Sequence, residues 1–89
     1  MSNYIEYNDS IIFHPGYYIN EMIEENIFSH GELAAIFDIP MYEVDLLLNG
    51  EIRLSYEQIA VLSKVSGTSI DYWCNIQDEY YSSLGKIFY

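Results

Sequence analysis

The sequence predicts an all-α domain of five helices preceded by a short N-terminal arm or strand. Three observations carry that expectation. Apolar residues recur at helical spacing through most of the chain beyond His14. Two capping boxes, Ser29 with Glu32 and Ser55 with Gln58, mark helix starts, each offering a hydroxyl and a carboxylate or amide to orphan backbone N–H groups. Asn49-Gly50 and Ser66-Gly67 supply helix stops, because Asn and Gly tolerate the left-handed backbone that closes a helix. The 89 residues, 51% hydrophobic and 17% aromatic, suffice for one domain around one core. The expected division is an arm over 1–13, a helical domain over 14–84 and a tail over 85–89.

In the arm, Tyr4-Ile5-Glu6-Tyr7 alternates apolar and polar residues as a strand does, Asn8-Asp9-Ser10 signals a turn, and Ile11-Ile12-Phe13 is a short apolar anchor. A lone strand has no partner within a helical domain, so the arm is expected either to stay extended or to pair with a second copy. His14-Pro15-Gly16 opens the first helix, with Pro in the first turn where its missing N–H costs nothing. Ile19, Met22, Ile23 and Ile27 form its buried stripe, opposite Glu21, Glu24 and Glu25.

The stretch from Ser29 to Gly50 holds two short helical patterns with a break at Asp38-Ile39-Pro40. Leu33, Ala34 and Phe37 lie on one face of the first, and Val44, Leu47 and Leu48 on one face of the second. That is the shape of a helix-turn-helix over 29–50. A fourth helix follows Ser55 with Ile59, Leu62 and Val65 inward. A fifth, capped by Thr68 or Ser69, carries Trp73, Ile76 or Gln77, Tyr80 and Leu84. Gly85 is expected to end it, leaving Lys86-Ile87-Phe88-Tyr89 to dock on a surface.

Charge restricts function more than fold. Fourteen acidic residues face three basic ones, the formal net charge is −11, and the first Lys or Arg is Arg53. A nucleic-acid binder needs clustered cations to neutralise phosphates. This surface calls instead for a basic partner protein, with Glu21, Glu24, Glu25, Glu32, Glu43 and Asp45 as the candidate contacts. One cysteine, Cys74, excludes an internal disulfide and fits a reducing cytoplasm. Neither a signal peptide nor a membrane span is legible.

The blocks His14-Pro15-Gly16, Ser29 to Ala34 and Leu48-Asn49-Gly50 resemble a HigA-type antitoxin of the Xre, lambda-repressor-like helix-turn-helix family. So does Gly67-Thr68-Ser69 followed by Tyr72-Trp73, Asn75, Ile76-Gln77 and Tyr80. The resemblance implies operator binding through the third helix and neutralisation of a small basic RNase toxin by protein contact. The DNA-facing positions it implies are His30, Pro40, Met41, Tyr42, Glu43, Asp45 and Leu46. Carboxylates can accept from cytosine N4, but they cannot hold the flanking phosphates that position a reader. The protein is therefore expected to work by protein–protein contact, as an antitoxin with DNA binding weak or lost. The alternatives are a DNA-mimic inhibitor of a nucleic-acid-binding enzyme, of the phage anti-CRISPR or anti-restriction type, and an operator-binding autoregulator.

No catalytic, cofactor or metal site is expected. His14 and His30 have no second ligand three or four residues away on their helices, and Cys74 has no positioned base in its sequence neighbourhood. Glu24-Glu25 and Asp78-Glu79 are neighbours that point about 100° apart on a helix. The ten tyrosines read as interface anchors. A homodimer is expected, with Tyr4, Ile5, Tyr7, Tyr81 and Phe88 as its candidates.

Overall fold

The computed structural model describes residues 3–88, with the side chain of Phe88 outside that description. Five helices are present among the described residues: α1 (Pro15–Glu24), α2 (His30–Phe37), α3 (Met41–Leu48), α4 (Tyr56–Ser66) and α5 (Ile70–Phe88). They follow a two-stranded antiparallel sheet, β1 (Tyr4–Tyr7) and β2 (Ser10–Phe13). The molecule is thus mostly helical, as expected, and the sheet corrects the expectation that the arm stays extended or pairs with a second copy.

β1 pairs within its own chain, with Tyr4 opposite Phe13 and Tyr7 opposite Ser10. Asn8 and Asp9 have φ of 51° and 61°, the pair of left-handed residues that a tight hairpin turn needs. The hairpin lies on α5 and on the start of α1. Phe13 stacks on Tyr17, ring centroids 4.0 Å apart, and meets Tyr18 edge-on. Packing against helices gives an otherwise marginal two-stranded ribbon the support it lacks alone.

Both capping boxes form. Ser29 Oγ accepts from the Glu32 N–H and Glu32 Oε1 from the Ser29 N–H, and Ser55 with Gln58 repeats the arrangement. Ser69 caps α5 by accepting from the Tyr72 N–H at 3.1 Å, while Thr68 accepts from the indole N–H of Trp73 at 2.7 Å. The core comprises Ile19, Phe28, Leu33, Phe37, Val44, Leu47, Leu48, Leu54, Ile59, Leu62 and Trp73. Ile27 and Val65, read as core from their spacing, are 47% and 41% exposed. Ile27 lies beyond the end of α1, so the helical period no longer applies to it. Gln77, not Ile76, takes the buried position of α5, where its amide bonds both the N–H and the carbonyl of Leu54.

α5 runs through Gly85 to Phe88, correcting the predicted stop. A glycine inside a helix costs about 1 kcal/mol against alanine, too little to end it where flanking turns pack. Here the hairpin rests on α5, and the Lys86 ammonium lies 6.0 Å from the centre of the Tyr7 ring.

His14 joins these layers. It is fully buried and caps α1, its Nδ1 accepting from the Gly16 N–H at 2.8 Å. That bond leaves the proton on Nε2, which donates to the Ile52 carbonyl at 2.9 Å and lies 3.1 Å from the Tyr81 hydroxyl. Tyr81 in turn carries the Arg53 guanidinium 3.8 Å above its ring. Burial lowers the His14 pKa from its ordinary 6.5 to about 4, against a smaller raising effect of the Ile52 carbonyl. The unfolded chain therefore binds a proton between these values that the folded chain refuses. This contribution to stability is complete above pH 6.5 and is lost as pH falls toward about 4. Lowering pH from 7.5 to 5 should cost about 2 kcal/mol through this group alone. Urea midpoints of the wild type against His14→Asn at the two pH values measure it, the variant lacking that increment.

Candidate protein-binding surface

α3 begins without a side-chain cap: Pro40 precedes it, and the Pro40 carbonyl accepts from the Glu43 and Val44 N–H groups. Val44, Leu47 and Leu48 are buried against the core. Burying that face turns Met41, Tyr42 and Asp45 outward, and Asp45, four residues from Met41 and three from Tyr42, is a neighbour of both on the helix surface. Met41 is 47% and Tyr42 65% exposed, with Asp45 exposed beside them. Glu43 and Leu46 are half-buried on the flanks. Glu43 lies in the first turn of α3, where a carboxylate also stabilises the positive end of the helix dipole.

The other predicted acidic contacts separate into groups. Glu32 is exposed, but one of its oxygens closes the α2 capping box. Together with exposed His30 it borders a small polar depression that includes Asn26 and Ser29. Glu24 accepts from Asn20 Nδ2 at 3.0 Å on the surface of α1. Glu21 and Glu25 are brought together, one turn apart, on the rim of a groove between the second half of α1 and the start of α5.

Of the predicted dimer anchors, Tyr4 is 41% exposed and its ring meets Phe13, while Ile5 and Tyr7 are half-buried. Tyr7 faces Lys86, and Tyr81 is held by His14 and Arg53, so both rings make contacts within the chain. Burial raises the Tyr81 pKa, opposed by Arg53. The Phe88 side chain lies outside the described residues.

The groove brings in residues that sequence reasoning did not assign to a site: Tyr18, Met22, Ile27, Tyr72 and Trp73. A signal for Tyr18 was present, since Tyr17 and Tyr18 cannot both turn inward from one helix. None existed for Tyr72, whose approach to α1 is tertiary. Among the described residues no cluster of three or more His, Cys, Asp or Glu side chains is arranged to hold a metal ion. No described helix is long and apolar enough to cross a membrane.

The fold has a counterpart among solved structures. The chain is similar to a hypothetical protein from E. coli, known from a crystal structure, with a TM-score of 0.66 and 29% sequence identity. The match covers 76% of this chain and 70% of that one. No protein-family model matches the chain, and no curated protein matches it.

Proposed function

We infer that the protein is an acidic antitoxin of the HigA-like kind, acting in the cytoplasm by protein–protein contact to neutralise a small basic RNase toxin. In this reading α2, the turn at Asp38–Pro40 and α3 are a helix-turn-helix whose outward face meets protein rather than DNA. The observation that supports it is the strip of Met41, Tyr42 and Asp45: an aromatic, a flexible thioether and a carboxylate, all exposed. Aromatic and Met side chains are enriched at interfaces, and a carboxylate selects a cationic partner. The same strip repels DNA, because no Lys or Arg precedes Arg53 to hold phosphate.

The test is co-expression with the product of the adjacent reading frame. Relief of a growth arrest caused by a small basic RNase, lost with a Tyr42→Ala, Asp45→Lys double variant, is the expected result. A neighbour of any other kind, or an arrest that the wild-type chain leaves untouched, overturns it. Salt-sensitive retardation of the chain's own upstream DNA at submicromolar protein would favour an operator-binding regulator instead. The net charge of −11 favours a second reading, a DNA-mimic inhibitor. A salt-dependent block of a restriction or CRISPR nuclease, with no toxin neighbour, would distinguish it.

A further inference from the structure

The groove between α1 and α5 combines features that the exposed strip of α3 lacks. Its walls are Tyr18 and Met22 from α1, Ile27 from the following turn and Tyr72 from α5, with Trp73 at its floor. Trp73 is almost fully buried and is fixed by its indole hydrogen bond to Thr68. Tyr72 meets it edge-on, centroids 5.3 Å apart, and remains 43% exposed, as Ile27 remains 47% exposed. The carboxylates of Glu21 and Glu25 stand on the rim. Burial, then Tyr72, Tyr17, Glu21 and Glu79, raise the Tyr18 pKa, so Glu79 acts on this phenol beside Glu21.

Among the described residues no cation belongs to this wall. Arg53 and Lys86 lie over the rings of Tyr81 and Tyr7, and Lys64 points about 200° around α4 from Ser66, the α4 residue that lines the groove. The volume, about 230 Å³, is below that of ordinary small-molecule sites and suits one or two side chains.

We propose that this groove is the docking site for an arginine-bearing segment of a basic partner protein, the arginine lying against Tyr72 and Tyr18 with an adjacent apolar side chain on Met22 and Ile27. The proposal rests on the basic-partner reading above and gives that partner a second point of contact, separate from α3. A guanidinium is favoured over an ammonium because its plane stacks on aromatic rings while its N–H fork meets a carboxylate. The fold already uses the stacking part of that pairing once, where Arg53 lies on Tyr81. A nucleic acid is disfavoured by the carboxylate rim, and a second copy of the chain by its own net charge of −11.

The experiment is a titration of the labelled full chain, followed by NMR, with the blocked peptide acetyl-Ala-Arg-Leu-Ala-amide and its Lys and Glu counterparts. Trp73, the single tryptophan, supplies one indole N–H resonance at the floor of the groove. The Arg peptide should move that resonance and the amides around Tyr18, Met22 and Tyr72. The Lys peptide should bind more weakly and the Glu peptide not at all. A Glu21→Gln, Glu25→Gln double variant or Tyr72→Ala should weaken the Arg peptide about tenfold, as loss of one buried contact does. All three positions are exposed, so the variants should fold, which an unchanged Tm verifies. Shifts spread evenly over the acidic faces, shifts confined to α3, or none at millimolar Arg peptide would overturn the proposal.

The same variants, assayed for relief of toxin arrest, separate the two ideas. Groove variants that relieve arrest as well as the wild type overturn the groove and leave the antitoxin standing. Arrest that the wild-type chain cannot relieve overturns the antitoxin, and the peptide titration still decides the groove.

Discussion

His14→Ala is expected to lower the unfolding free energy by about 4 kcal/mol, the range in which truncation of large buried rings falls. Three losses coincide at one residue. The α1 N-cap disappears, an interaction of about 1 kcal/mol elsewhere. The half-buried Ile52 carbonyl loses its donor inside the protein, which costs about 1 kcal/mol, the low end for an unsatisfied acceptor. The cavity also removes the edge-on partner of Tyr80 and Tyr81, whose centroids lie 5.0 and 5.7 Å from the imidazole. These losses share one void and do not add in full. Domains of this size are stable by only about 5–15 kcal/mol, so the variant should be partly unfolded at physiological temperature. Urea denaturation at pH 7.5 checks it. His14→Asn should recover about 1 kcal/mol, because its short side chain can still cap α1 but cannot span to Ile52.

The reach of His14 also shows what a sequence exposes and what it hides. Its place before Pro15 made it the opening residue of α1, and the cap is local. Its other partners, Ile52 and Tyr81, are 38 and 67 residues away, distances over which no periodicity operates. The same division holds elsewhere. Both capping boxes were legible because each closes within three residues, and Asn8-Asp9 was legible as a turn. The hairpin was not, because β2 reads Ser-Ile-Ile-Phe without alternation and its residues rest on helices rather than on one side of a sheet.

Gly85 shows the opposite error. Local propensity argued for a stop, and tertiary support from the hairpin overrode it. For the candidate site, the outward face of α3 followed from the helical period once Val44, Leu47 and Leu48 were assigned inward. The groove required Tyr72 and Ile27 to meet α1, and that contact is set by how α5 packs. Charge was readable throughout, since no folding event can supply cations that the chain lacks.

Gly16→Ala is expected to destabilise the fold by about 3 kcal/mol, the upper part of the range for overpacking a filled interior. A Cβ at position 16 would stand 2.1 Å from the Leu47 carbonyl oxygen and 3.1 Å from His14 Nδ1. A flexible side chain could swing away from such an approach, but a backbone carbonyl cannot. Leu47 O also accepts from the Gly50 N–H at 3.1 Å, so displacing it disturbs the bond that closes α3. The cap at His14 and the seat of α3 on α1 must therefore shift together. Opposing this, alanine is favoured over glycine in a helix by about 1 kcal/mol, which the net figure already includes.

Gly85→Ala isolates that propensity. It is also helical, and nothing lies within 4 Å of an added Cβ. That variant should be more stable than the wild type by up to about 1 kcal/mol. Opposite signs for one chemical change, read from paired thermal melts, would measure the close approach of α1 and α3 directly. Two variants of equal sign would mean that the contact yields without cost. Because the same contact orients Met41, Tyr42 and Asp45, the proposed antitoxin reading requires any Gly16→Ala protein that folds to lose relief of toxin arrest while Gly85→Ala keeps it.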